Sequence, residues 1–199
     1  MLERVQERSG LRFWDAALDG VQLHGAQKAL AQWAIVDDYN TVLDMSCGSG
    51  RLLRALSHRY SLRACGIARD DAAARLTRSS LPNAEILCAR WENLPWRDGS
   101  FDAVFCQIQK TNMPSDPGFL REALRVLKPD GQLLIAVRGM PEAFCALREA
   151  LGDGGETDRV RPRELMTAME AAGFDDVSYR IAQPWVGIAM GWKRCTDRS

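Results

Sequence analysis

The chain carries no excess of either charge: among 199 residues, 26 basic side chains balance 26 acidic ones. Without a basic surplus, bulk nucleic-acid binding is disfavoured. No apolar run approaches the roughly 20 residues that a membrane span needs. The opening segment, MLERVQERSG, holds charges and no apolar signal core. Together these absences predict a soluble, cytoplasmic protein with no nucleic-acid partner and no membrane. The cysteines are Cys47, Cys65, Cys88, Cys106, Cys145 and Cys195, and none forms a C-x-x-C pair. Four lie in or beside apolar strand-like runs, so reduced, buried thiols and no metal are expected. The alternative is a metal site built from Cys47, Cys88 and Cys106. Histidine is scarce, with only His24 and His58, which leaves few candidates for a general base. Internal repeats, low-complexity segments and an internal domain boundary are also lacking. A single domain over 1–199 is expected, with a helical cap over 1–38 and a core over 39–192.

What is present concentrates in residues 41–50, TVLDMSCGSG. Thr41, Val42 and Leu43 read as a buried strand that ends at Asp44. Ser46-Cys47-Gly48-Ser49-Gly50 then makes a tight turn into a helix that starts near Arg51. Glycine lets the backbone approach a ligand closely, and the first helical turn offers free N–H groups. The acid at the strand end can take an ammonium or a hydroxyl. The dinucleotide fingerprint G-x-G-x-x-G is not met, because Leu53 stands where its last glycine would be.

The rest of the chain alternates strand and helix. Residues 11–34 have apolar residues at helical spacing, as one or two helices broken near Gly20 or Gly25. Strands are expected over 41–46, 62–68, 84–89, 101–106, 132–137, 177–182 and 185–192. Helices are expected over 50–59, 71–79, 117–127, 141–151 and 162–172. Asp70 fits an N-cap for the second of these. Alternation of this kind predicts an α/β fold of three layers with a mostly parallel sheet. The short connection through Pro184 makes the last two strands an antiparallel edge hairpin.

Three further segments extend the pattern. Residues 92–104, ENLPWRDGSFDAV, resemble the E-N-L-P-F-x-D-x-S-F-D-x-V segment of the class I S-adenosylmethionine (SAM)-dependent methyltransferases. Residues 120–131, LREALRVLKPDG, resemble that superfamily's E-x-x-R-V-L-K-P-G-G segment, and residues 172–177, AGFDDV, its entry to the sixth strand. With residues 41–50 resembling its motif I, the likeness covers about 40–192. It is greatest to the UbiE-like or type 11 small-molecule branch. The resemblance implies a Rossmann-like, seven-stranded methyltransferase fold that uses SAM.

It also implies site residues. Asp44 matches the acid that orients the amino-acid end of SAM, and Gly48 and Gly50 match the close-approach glycines. Ser46 replaces the first glycine. That fits if its backbone avoids positive φ or its hydroxyl makes a local bond. Cys47 lies within the same turn. Where the family ends its second strand with a ribose-binding acid, this chain has Ala68, followed by Arg69. Where the family places an acid on the adenine amino group, this chain has Arg90, followed by Trp91. A guanidinium cannot accept that bond, though either side chain could stack on adenine. A lost charged hydrogen bond is worth roughly 1.5–3 kcal/mol. Asp70 is expected only to cap its helix. The two arginines are expected to load the pocket with positive charge, favouring the neutral-sulfur product S-adenosylhomocysteine or an acid-bearing analogue over SAM.

Gln107 lies at the end of the fourth strand, where the family's methyl group faces. Gln109 and Asn112 could orient a polar substrate there. There is no N-P-P-Y or D-P-P-Y run, so methylation of base or glutamine amino groups is not indicated. The catalytic residues cannot be named, because an anionic or amine nucleophile needs no base. The expected function is SAM-dependent methyl transfer to a small-molecule acceptor, by a monomer or homodimer. The alternative is a catalytically silent methyltransferase-like domain that binds an adenosyl nucleoside, another ligand or a partner protein.

Overall fold

The computed structural model describes residues 23, 25–108, 117–138, 161–183 and 185–195. Twelve elements follow one another: α1 (Gly25–Trp33), β1 (Thr41–Asp44), α2 (Arg51–Arg59), β2 (Arg63–Ala68), α3 (Asp71–Ser80), β3 (Glu85–Cys88), β4 (Phe101–Ile108), α4 (Gly118–Val126), β5 (Leu127–Arg138), α5 (Pro162–Ala172), β6 (Phe174–Gln183) and β7 (Val186–Lys193). The helix expected over 141–151 and everything N-terminal to Leu23 lie outside the described residues.

Seven strands form one sheet in the order β3-β2-β1-β4-β5-β7-β6. β1 pairs in parallel with both β2 and β4, and β4 with β5. β7 runs antiparallel between β5 and β6, as the short Pro184 connection requires. β1 stops at Asp44 and β4 runs on to Ile108, and the starts of β5 and β6 differ most from expectation. β5 starts at Leu127, which pairs with Phe101 ahead of a register shift. β6 starts at Phe174, because Phe174 and Asp175 already pair with Lys193 and Trp192. In both places pairing to a neighbouring strand extends the element past its local apolar run.

Side chains alternate across the sheet with the two-residue period of a strand. Val42, Phe105, Leu134 and Ala136 point to one core, shared with α1, α2 and α3. Leu43, Val104, Cys106, Leu133 and Ile135 point to the other, shared with Phe119 and Leu120 of α4 and Leu165 and Met169 of α5. The strands are apolar on both faces because both faces are covered. Among the described residues, no helix is long and apolar enough to cross a membrane.

The connection between β3 and β4 is fastened to α4 by a knot of charge. Arg125 donates to both Glu122 carboxylate oxygens (2.7 and 2.9 Å), to Asp98 (2.7 Å) and to the carbonyls of Trp96 (2.8 Å) and Leu94 (3.0 Å). Glu122 in turn accepts from the Leu94 N–H at 2.7 Å. The residues that made 120–131 recognisable in sequence therefore hold the 94–98 loop in place. Trp91 is carried on the same connection.

Candidate functional site

The strand order reverses between β1 and β4, and at such a switch point the loops diverge to leave a crevice at the carboxyl ends. Asp44 ends β1 there, opposite Gly66 of β2 and Phe105 of β4. The following turn is stitched to both neighbours. The Met45 N–H donates to Phe105 O (2.8 Å), and the Cys47 N–H to Ile67 O (3.3 Å).

Ser46 satisfies both conditions for replacing a glycine. It stays out of the left-handed region. Its hydroxyl donates to Asp44 Oδ1 (3.2 Å) and accepts the Gln107 N–H (2.8 Å), bridging β1 to β4. Gly48 and Gly50 have φ of 50° and 71°, values that favour glycine. A Cβ on Gly50 would also lie 2.8 Å from Thr77 Cγ2. On β2, a Cβ at Gly66 would meet Cys47 Cβ at 2.9 Å, so Gly66 makes room for the turn to pack down.

Asp44 is completely buried. Its Oδ1 accepts the Ser46 N–H (2.9 Å) and hydroxyl, while its Oδ2 is buried with no hydrogen-bond partner among the described residues. Burial pushes its carboxyl up to about 6, against the lowering effect of the two Ser46 bonds. A buried carboxylate oxygen without a donor is costly. α2, which leaves this turn, begins at Gly50 with no side-chain cap. Its first-turn N–H groups have no intrahelical partner. An orphaned anionic oxygen beside an uncapped helix start fits a ligand that carries both a cation and a carboxylate, as the amino-acid end of SAM does.

The nucleoside end fits less well. Ala68 closes β2 and is buried. Asp70 does not substitute for the missing acid. Its Oδ1 accepts the Ala73 N–H at 2.8 Å as the N-cap of α3, and its Oδ2 faces Arg69 at 3.3 Å. The expectation that arginines load the pocket with positive charge is overturned. The Arg69 side chain is 92% exposed and paired with Asp70; that of Arg90 is 88% exposed and paired with Glu92 at 3.6 Å. Solvation and a neighbouring carboxylate both screen these charges. Arg90 lies on the surface. Trp91 instead turns inward: its indole N–H donates to Met45 O at 2.5 Å, and its ring lies 6.0 Å from that of Phe119. It forms an aromatic wall beside the β1 turn.

The thiols divide. Cys47, Cys65 and Cys106 are buried, and burial pushes the first two up to about 12 and the third well up. Cys88, expected inside, is exposed at the end of edge strand β3. An edge strand has one neighbour fewer to cover it. Among the described residues no three His, Cys, Asp or Glu side chains converge as metal ligands, so Cys47, Cys88 and Cys106 do not form a cluster. Gln109, Asn112 and His24 lie outside the described residues.

Sequence reasoning did not single out Thr77. It is buried on α3, and its hydroxyl lies 2.7 Å from Gly48 O and 2.9 Å from Ala73 O, one proton shared between them. Thr77 thereby pins α3 to the glycine turn. The only signal in sequence is a hydroxyl on the apolar face of a helix.

Residues 43–135 match a family model described as a methyltransferase domain. The chain is 33% identical over 175 residues to a demethylmenaquinone methyltransferase of Tropheryma whipplei (strain Twist), covering 70% of this chain and 68% of that one. It is 35% identical over 114 residues to a 2-methyl-6-phytyl-1,4-hydroquinone methyltransferase of Synechocystis sp., covering 54% of this chain and 36% of that one. The chain thus spans from about a third to two thirds of the length of these curated relatives. In fold it is similar to a Haloferax volcanii complex between the Trm112 methyltransferase activator and a methyltransferase, with a TM-score of 0.73, 21% identity, and 96% and 99% of the two chains covered.

Proposed function

Because the chain belongs to the class I SAM-dependent methyltransferases, in the UbiE-like, type 11 branch, we propose that it transfers a methyl group from SAM to a small-molecule acceptor. The observation that carries this reading is the Asp44 carboxylate, buried with Oδ2 unpartnered at the strand switch point. A cationic donor is the group that relieves it. When bound, SAM supplies a methyl carbon on a sulfonium, which an acceptor's lone pair takes in line as the carbon–sulfur bond breaks.

The chain's own residues hold and orient. Asp44 takes the ammonium of the cofactor's amino-acid end. The backbone at Gly48 and Gly50 lets that end come close, and the first turn of α2 faces its carboxylate. Ser46 fixes the Asp44 carboxylate and ties it to Gln107, so the cofactor end and the acceptor end of the site move as one. Trp91 supplies an apolar face for the nucleoside. Positioning of this kind can supply much of a methyl-transfer rate without a general base. The acceptor class is a small, partly apolar molecule. The support for that is the identity to enzymes named for methylating hydroquinones and demethylmenaquinone.

A second reading is a silent domain, favoured by Ala68 and Arg90, which withdraw two acceptors from the nucleoside. Calorimetry with SAM and S-adenosylhomocysteine separates the two. Micromolar SAM binding supports the enzyme. Failure of both ligands to bind removes the methyl-transfer reading and leaves the silent domain.

A further inference from the structure

At the opposite end of the strands from the glycine turn, the later turns of α2, the end of α3 and the start of β2 line an open cavity of about 540 Å³. That volume suits a small organic molecule. Arg54 and His58, four residues apart on α2, lie on its wall with Ser57, Tyr60, Ser80 and Leu81. Among the described residues, no acidic side chain lines it. Ser61 on its wall donates its N–H to Asp38 Oδ1 at 2.7 Å. Among the described residues, Arg54 Nε is buried with no hydrogen-bond partner. A guanidinium presents a planar fork of donors matched to carboxylate and phosphate oxygens. Tyr60 accepts from Arg59 Nε at 3.1 Å, which leaves its own hydroxyl proton to donate.

We infer that this cavity is a second ligand site, distinct from the glycine-turn crevice, that takes a small organic anion bearing a carboxylate or a phosphate on the guanidinium of Arg54. The anion's head sits on Arg54, with Tyr60 and His58 as further donors. Its body rests on Leu81.

The test is a titration of the full ¹⁵N-labelled chain with inorganic phosphate and, separately, with malonate, read by amide chemical shifts. Saturable shifts at residues 57–62 and 80–84, without shifts at 48–51, are the expected result. The tighter of the two probes tells which head group the site prefers. Arg54→Gln should weaken binding at least tenfold. Ser57→Trp, at an exposed position on the wall, should block the cavity without touching the core, so it carries the test if Arg54→Gln does not fold. Three outcomes overturn the inference: no saturable shift with either anion, shifts confined to 48–51, or binding unchanged in both variants.

Discussion

The Arg125 knot and the Asp44 carboxylate both take charge out of water, and they are treated in opposite ways. Around Arg125, two carboxylates and two carbonyls answer the guanidinium, and Glu122 has a partner on each oxygen. The guanidinium holds the Glu122 and Asp98 carboxyls below their usual range. Asp44 has a partner on one oxygen only, and burial raises it to about 6. A closed network is what a structural joint requires, and an open one is what a binding site requires. On the proposed reading, the unsatisfied charge at Asp44 marks the ligand's place and the satisfied charge at Arg125 marks the fastening.

The largest way to break this contrast is Arg125→Met. It leaves Glu122 half-buried without its cation and releases the 94–98 loop. The expected loss is about 3 kcal/mol of unfolding free energy in a urea titration. SAM affinity per folded molecule should fall much less. A variant as stable as the parent would show that the knot is ornamental.

Asp44 gives the next largest effect, and its sign is opposite. In the unfolded chain the carboxyl ionises near 3.8, and in the empty folded site near 6. Between those values the folded state holds the proton that the unfolded state has lost. Stability should therefore fall as pH rises from about 4 to about 6, by roughly 3 kcal/mol in all, and stay at the lower level above. Asp44→Asn should flatten that slope while weakening SAM binding roughly 10–100-fold. In the parent, SAM affinity should rise with pH through about 6 and then level. Denaturant curves at several pH values and calorimetry check both halves. A slope that survives in Asp44→Asn would assign it to another group.

Restoring acceptors sharpens the contrast from the nucleoside side. The double change Ala68→Asp, Arg90→Asp should tighten SAM binding by about tenfold, one charged hydrogen bond's worth after the cost of burying the new acid at position 68. Unchanged affinity would mean these positions do not face the ribose and adenine. The smallest expected effect is that of Ser46→Ala, which removes the hydroxyl between Asp44 and the Gln107 N–H. A loss of about 1 kcal/mol in stability is expected. The Asp44 midpoint, followed by NMR, should move up as one of its donors disappears. A midpoint that moves down would contradict the bonding described.

Much of this fold was legible in the sequence. Gly48 and Gly50 announced a turn that only glycine takes easily, and Asp70 announced the cap of α3. The ENLPW and REALRVLKPDG segments marked a joint whose partners were not visible until Arg125 was seen to reach back to Leu94, Trp96 and Asp98. The candidate site was legible along β1 and much less so beyond it. Arg69 and Arg90 were placed at the right strand ends and given the wrong role. Strand position fixes where a Cα lies, whereas a long side chain goes where solvent and a neighbouring carboxylate draw it. Cys88 was expected inside for a similar reason: a local apolar run does not say which strand ends up at an edge.

The sequence by itself determined the kinds of the elements it marked, the glycine turn after Asp44 and the family. Each of these rests on residues a few positions apart, whose spacing and backbone preferences act locally. The tertiary structure alone decided which Asp44 oxygen is left without a donor, that Thr77 locks onto Gly48, that Trp91 bonds Met45 while Arg90 does not turn inward, and that Arg54 opens on a cavity. Those outcomes belong to pairs separated by tens of residues, and they are settled only when packing fixes which groups share the interior and which remain in water.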